Sequence, residues 1–235
     1  MNLTNSSQPR PETAEGFSPE FIWSDIDTVF LDMDGTLLDK YYDDYFWEHY
    51  VPEMFAKENN LDILMARQHL LSTYKSVENT LQWTDLDFWS DRLGLDIAKL
   101  KEEVSHLVNI HPHVIDFLAY MEELGKKVYL ITNAHPKALQ VKMNKARLDT
   151  WFQRLICSQE VGAAKEQSQF WCKLQDILPY DKDTTLFADD TENVLHSAAS
   201  YGIRHLIHIA KPSSRLDPQH SLHYPSIISF RELMF

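Results

Sequence analysis

The chain has 235 residues, 44% hydrophobic and 24% charged. That is enough for a packed core in one large domain, or one domain with a substantial insert, and it excludes wholesale disorder. Six Gly, ten Pro and two Cys exclude collagen-like, low-complexity and disulfide-scaffold classes, and the formal net charge of −13 gives no long-range attraction for a nucleic-acid polymer.

No apolar run approaches the roughly 20 residues of a membrane helix, so no membrane partner is expected. Cys157 and Cys172 form no metal-ligand or redox pattern, which fits a reducing, cytoplasmic setting. Residues 1–20 are polar and lack the apolar stretch of a signal peptide; they read as a flexible N-terminal tail.

The run Asp27–Leu31 stops at Asp32 and predicts a buried strand followed by a loop. Residues 40–110 contain no convincing strand. Helical patterns cover Tyr42–Lys57, Leu64–Val77, Asp85–Leu93 and Ile97–Val108, with Thr84 and Asp96 as N-cap candidates. Val114–Leu124 predicts a helix closed by Gly125. Four more strands follow at Lys127–Thr132, Leu155–Ser158, Thr185–Ala188 and His205–Ile209, separated by helices at Leu139–Leu148, Gln167–Ile177 and Glu192–Tyr201. Pro212–Pro225 reads as a surface loop before a last short strand or helix.

Strands alternating with helices predict an α/β fold whose parallel five-stranded sheet is covered on both faces. Function then belongs at the carboxyl ends of the strands. The expected organisation is a core from residues 21–39 and 111–235, with residues 40–110 inserted as an all-helical cap that overhangs the sheet's active edge.

The chemistry concentrates at those strand ends. Asp32 and Asp34 flank Met33 just after the first strand, and Gly35 permits a tight turn. The second strand ends in Thr132 and Asn133, the loop after the third delivers Lys165, and the fourth ends in Asp189 and Asp190. Carboxylates this close raise one another's pKa unless a cation intervenes. A hard divalent ion fits, and Mg²⁺ with retained waters fits best. A nucleophile, a metal, a lysine, and hydroxyl and amide donors are the parts a phosphoryl group needs.

In that order on the strand ends, Asp32–Thr36, Thr132, Lys165 and Asp189–Asp190 resemble the four motifs of haloacid dehalogenase (HAD) superfamily phosphatases, over roughly residues 25–235. Within the superfamily the chain looks like the bacterial GMP/IMP 5′-nucleotidases. The stretches that carry this likeness are DMDGTLLD (32–39), YDDYFW (42–47), LDFWSDRLGLDI (86–97), LITNAHP (130–136) and GAAKEQSQFW (162–171). Glu166 stands where the wider superfamily commonly has Pro after the motif lysine.

The resemblance implies a Rossmann-like core with the helical insert between the first and second motifs, and a Mg²⁺-dependent phosphomonoester hydrolase. Asp32 would be the nucleophile that forms an aspartyl-phosphate, and Asp34 the general acid and then base. Mg²⁺ would be held by the Asp32 carboxylate, the Asp34 main-chain carbonyl and the Asp190 carboxylate. Asp189 would act through water or orient Lys165. Thr132, the amides around Asn133, and Lys165 would bind the phosphate.

Substrate choice is expected from the insert. Tyr41, Tyr42, Tyr45, Phe46 and Trp47, and later Trp83, Phe88 and Trp89, are stacking candidates, although helical spacing at Tyr42, Tyr45, Phe46 and His49 also fits core packing. Asp43 is the candidate acceptor for the N1–H of guanine or hypoxanthine. His111, His135 and His196 lack metal-ligand spacing and read as structural. The expected partner is a small phosphomonoester, a purine nucleotide, bound by a monomer or weak homodimer. The competing readings on the same core are a sugar-phosphate or phosphoglycolate-type phosphatase, a phosphomutase, and a non-catalytic binding protein.

Overall fold

The computed structural model describes residues 20–77 and 80–235. The N-terminal tail expected over residues 1–20 therefore lies, except for Glu20, outside the described residues. Strands β1 (Thr28–Leu31), β2 (Lys127–Thr132), β3 (Arg154–Cys157), β4 (Thr185–Asp189), β5 (His205–Ile209) and β6 (Ser226–Ile227) form one parallel sheet in the order β3-β2-β1-β4-β5-β6. The five-stranded sheet expected from sequence is thus corrected to six. At two residues β6 is too short to show a period. Its place is set by pairing: the His208 N–H donates to Pro225 O and the Ala210 N–H to Ile227 O, each at 2.8 Å.

Each strand feeds both faces of the sheet, because successive side chains point to opposite sides. Val29 and Leu31 join one core with Leu130 and Leu186, under Phe117 and Met143. Phe30 joins the other with Ile131 and Phe187, under Phe170, Trp171 and Leu195. The order of strands reverses direction beside β1: the chain runs outward to β2 and β3, then returns to add β4 on the other side. Such a switch point opens a crevice at the carboxyl ends.

Among the described residues, five α-helices lie between positions 41 and 103. Helix α1 (Tyr41–Tyr45) passes through a π-helical turn at Phe46–Tyr50 into α2 (Val51–Asn59), and α3 (Ile63–Lys75), α4 (Leu86–Leu93) and α5 (Ile97–Glu103) follow. The first cap candidate is corrected by one residue: Asp85 caps α4, its carboxylate accepting from the Asp87 and Phe88 N–H groups, while Asp96 caps α5 as expected. A carboxylate beside a helix N-terminus gains from the macrodipole as well as from the hydrogen bonds. The chain leaves and returns through adjacent segments, where the Asp39 N–H donates to Asn109 O and the His111 N–H to Leu37 O, both at 2.9 Å. The remaining helices are α6 (Val114–Glu123), α7 (Pro136–Ala146), α8 (Ser158–Val161), α9 (Ser168–Ile177) and α10 (Glu192–Tyr201). Among the described residues no helix is long and apolar enough to cross a membrane.

The turn that ends β1 is closed tightly. The Leu38 N–H donates to Met33 O at 2.8 Å and the Gly35 N–H to Leu38 O at 2.7 Å. Gly35 has φ +88°, and a Cβ there would lie 2.5 Å from the Asp190 Oδ2. Glycine is required for two independent reasons, backbone conformation and the close approach of a carboxylate. Replacing Gly35 by Ala is expected to destabilise the fold by about 1–3 kcal/mol and to displace Asp190; a urea melt unchanged from wild type would contradict this.

Candidate active site

Parallel register brings the sequence-predicted groups to one edge. Leu31 pairs with Leu130 on one side and Ala188 on the other, so the next residues, Asp32, Ile131 and Asp189, stand side by side. The Asp32 N–H donates to Ala188 O at 3.0 Å, which fixes the backbone at the end of β1. Asp32, Asp34, Asp43, Thr132, Asn133, Lys165, Asp189 and Asp190 all line a single cavity of about 720 Å³.

Lys165 is the buried cation of this cluster. Its Nζ donates to Asp32 Oδ1 at 2.5 Å, to Asp189 Oδ2 at 2.6 Å and to Ile131 O at 3.2 Å. Burial alone would discharge the ammonium, but Asp189 and Asp32 outweigh it and hold the pKa above its ordinary value. The loop that presents Lys165 is pinned on both sides. The Asn133 Oδ1 accepts from the Lys165 N–H at 2.9 Å, and the Trp171 indole donates to Lys165 O at 3.1 Å. Glu166 completes the clamp, its carboxylate accepting from the Asn133 Nδ2 at 2.9 and 3.1 Å. The acidic residue after the motif lysine therefore orders the Asn133 side chain.

Even with Lys165 in place, negative charge predominates. Burial, reinforced by Asp189 and Asp190, pushes the Asp32 carboxyl up to about 7 against the pull of Lys165. Burial likewise raises Asp189 to about 6. One oxygen from each of Asp32, Asp189 and Asp190 lies within 4.8 Å of the others. Three carboxylates so placed, one of them seated where only Gly35 leaves room, match the all-oxygen donor set of a hard divalent cation. The Asp190 Oδ2 also accepts from the half-exposed Lys40 Nζ at 2.8 Å.

Thr132 keeps its hydroxyl proton available, because its Oγ1 accepts from the Ala134 N–H at 3.0 Å. The same loop opens α7, whose first residue, Pro136, has no N–H to offer. His135 caps that helix by accepting from the Lys137 N–H. Its ring lies with Asp85 and Asp87 within 4.8 Å, but Asp85 caps α4 and Asp87 pairs with Lys137. His111 meets the Pro212 carbonyl and His196 the Tyr224 hydroxyl.

Two buried lysines are absent from the sequence-based set. Lys142 on α7 places its Nζ 2.6 Å from both Asp34 Oδ2 and Asp43 Oδ2. Lys101 on α5 donates to Asp43 Oδ1 at 2.6 Å, with its Nζ 4.3 Å from the Phe46 ring centroid. Burial and the Asp43 charge push the Asp34 carboxyl up to about 7 against Lys142. Asp43 is itself buried, which alone would raise it, yet Lys101 and Lys142 hold it well below the usual carboxylate range. Burial lowers the Lys101 ammonium. A signal for both lysines was present: each falls on the apolar stripe of its helix, Lys101 between Ile97 and Val104, and Lys142 between Ala138 and Met143. A lysine in such a stripe is buried only when carboxylates meet it.

Comparison with known proteins agrees with this geometry. Residues 26–202 match the haloacid dehalogenase-like hydrolase family. The chain is 36% identical over 212 residues to the GMP/IMP nucleotidase YrfG of Escherichia coli (strain K12), covering 90% of this chain and 96% of that protein. The fold is shared with a HAD phosphatase from Thermococcus onnurineus, with TM-score 0.74 and 22% identity over 88% of this chain and 96% of that one. It is also shared with the L-2-haloacid dehalogenase of Xanthobacter autotrophicus, with TM-score 0.57 and 14% identity over 89% and 97% of the two chains. The protein belongs to the haloacid dehalogenase-like hydrolase family.

Proposed function

We propose that the protein is a Mg²⁺-dependent 5′-nucleotidase that hydrolyses purine nucleoside monophosphates such as GMP and IMP through a phosphorylated Asp32. The observation that carries the phosphatase chemistry is the meeting of Asp32, Asp189 and Asp190, with the Lys165 ammonium bridging the first two. The substrate class draws on the likeness to the YrfG protein, named for GMP and IMP, and on a cavity of about 720 Å³, inside the roughly 300–1,000 Å³ typical of small-molecule sites.

The carboxylates of Asp32, Asp34, Asp43, Asp189 and Asp190 outnumber the ammoniums of Lys40, Lys101, Lys142 and Lys165 that pair with them. Such a cluster repels a phosphate dianion until a divalent cation enters. The Asp32 and Asp190 carboxylates and the Asp34 carbonyl would hold that cation, with Asp189 orienting Lys165. When bound, the ion supplies charge neutralisation and polarises the phosphoryl oxygens.

The residues divide the reaction between them. An Asp32 oxygen attacks phosphorus, the ester P–O bond breaks, and Asp34 gives its proton to the departing 5′-oxygen. A water then attacks the phosphorus, Asp34 takes a proton from it, and cleavage of the acyl phosphate returns the Asp32 carboxylate and releases inorganic phosphate. Lys165, the Thr132 hydroxyl and the amides around Asn133 stabilise the equatorial oxygens. Lys142, held by Asp43, keeps Asp34 turned toward the leaving group. Because both Asp43 oxygens already accept from ammonium groups, the geometry favours this positioning role for Asp43 over the N1–H acceptor expected from sequence.

Three outcomes test the proposal. Phosphate release from GMP and IMP is expected to vanish after chelation with EDTA and dialysis and to return with Mg²⁺; full turnover in chelator would refute the mechanism. Asp32→Asn should abolish turnover while leaving the thermal melt in place, and mass spectrometry of borohydride-trapped wild-type enzyme should locate the adduct on Asp32 and on no serine or histidine. Asp43→Asn should lower kcat for GMP and for an aryl phosphate by similar factors, about 10-fold or more. A loss confined to GMP would restore the base-recognition role.

A further inference from the structure

The catalytic cluster accounts for the phosphate end of the cavity, and α3 supplies part of the remaining wall. There Arg67 lines the cavity together with Leu70 and Tyr74. Its Nε is buried and has no hydrogen-bond partner. The only polar contact of the guanidinium among the described residues is a long one, 3.4 Å from Nη2 to the His49 Nδ1. No carboxylate of the described residues pairs with it, whereas Lys40, Lys101, Lys142 and Lys165 in the same cavity each have a carboxylate partner; Lys75, also on the cavity wall, has none among the described residues. A permanently charged group on the wall of the cavity, with one N–H buried and unsatisfied and no carboxylate partner, has hydrogen-bonding capacity left for an acceptor.

Aromatic faces lie on the same cavity. Trp47 and Trp83 both line it, with ring centroids 6.2 Å apart. Trp47 reaches the cavity from the π-helical turn at Phe46–Tyr50, which interrupts the α-helical phase so that Phe46 stays in the core while Trp47 and His49 line the opening. A flat apolar ligand with acceptors along one edge would meet both features.

We infer that Arg67 is the specificity-determining residue of the cavity, reading the 6-oxo group and N7 of a purine through two N–H groups of its guanidinium. This rests on the nucleotidase reading and supplies it with a discriminating group. A guanidinium matches the two acceptors O6 and N7 in a bidentate fork. Guanine and hypoxanthine both present that pair. Adenine presents N7 beside an N6 amino donor, so one arginine N–H would face a hydrogen and remain unpaired. The same arginine therefore accepts GMP and IMP alike and rejects AMP, without any contact to the 2-amino group that distinguishes the first two.

The test compares kcat/KM for GMP, IMP, AMP and 7-deaza-GMP, using wild-type enzyme, Arg67→Met and Arg67→Lys. Wild type is expected to favour GMP and IMP over AMP, and to favour GMP over 7-deaza-GMP, which lacks the N7 acceptor; this arm needs no variant. In Arg67→Met the GMP-to-AMP ratio should fall by about 10–100-fold, the IMP-to-AMP ratio should fall with it, and the 7-deaza penalty should disappear. Arg67→Lys, which keeps the charge but loses the fork, should recover less than half of the logarithmic loss. A GMP-to-AMP ratio unchanged in Arg67→Met, or no 7-deaza penalty in wild type, would overturn the role of Arg67 while leaving a 6-oxopurine nucleotidase intact. Equal turnover of AMP by the wild-type enzyme would overturn this inference alone, and wild-type enzyme that releases no phosphate from GMP or IMP would overturn the nucleotidase reading and this inference together.

Discussion

Everything at the active edge depends on carboxylates being held close together where water is scarce. Asp32 and Asp189 are buried and adjacent in register, and Asp190 lies within reach of both. Desolvated like charges raise one another's pKa and drive the groups apart unless cations intervene. Lys165 answers that constraint by bridging Asp32 and Asp189. Its loop is in turn fixed by Asn133, Glu166 and Trp171. The architecture is ordered around a charge problem, and the packing of α9 through Trp171 serves it as much as it serves the core.

The same constraint recurs where the helices between β1 and β2 meet the sheet. Asp34 and Asp43 are joined by Lys142, and Asp43 is joined again by Lys101. One chain of alternating charges therefore runs from α5 through α1 to α7 and ends on the carboxylate just beyond β1. Breaking such a chain at one member leaves a buried charge uncompensated, which is strongly destabilising, by about 3–5 kcal/mol for a fully buried pair. Its arrangement ties the position of Asp34 to the seating of the helices above the sheet. The short π-helical turn contributes differently: it shifts the phase of one long helix, so that aromatic residues of nearly consecutive number divide between the core and the cavity.

Much of this was legible in the amino-acid order, for identifiable reasons. Apolar runs that stop at acidic or hydroxyl residues marked β1, β2 and β4, because a parallel strand buried on both faces must be apolar to its end. Helix lengths and the α/β alternation followed from periodicity, and the identities at the strand ends were sufficient to place the chain in its family. The short strand or helix expected after Pro225 is β6; what periodicity could not report was that its two residues pair with β5 as a sixth strand. A one-residue shift from Thr84 to Asp85 as the cap of α4 was likewise beyond a residue-type preference, since both side chains can accept the same N–H groups.

The sequence by itself determined the order of elements, the parallel sheet and the set of chemical groups at its carboxyl edge, since all of these are local properties of strands, loops and residue types. Only the tertiary structure decided which groups are paired and which are free. Asp43 looked available as an acceptor, and Lys101 and Lys142 were not among the candidate residues. Their contacts span 58 and 99 residues of chain, a separation that no window of sequence contains. Arg67 is distinguished by the opposite circumstance, a buried N–H with no acceptor among the described residues. Ion pairing and its absence are properties of through-space distance and desolvation, and neither exists until the chain has folded.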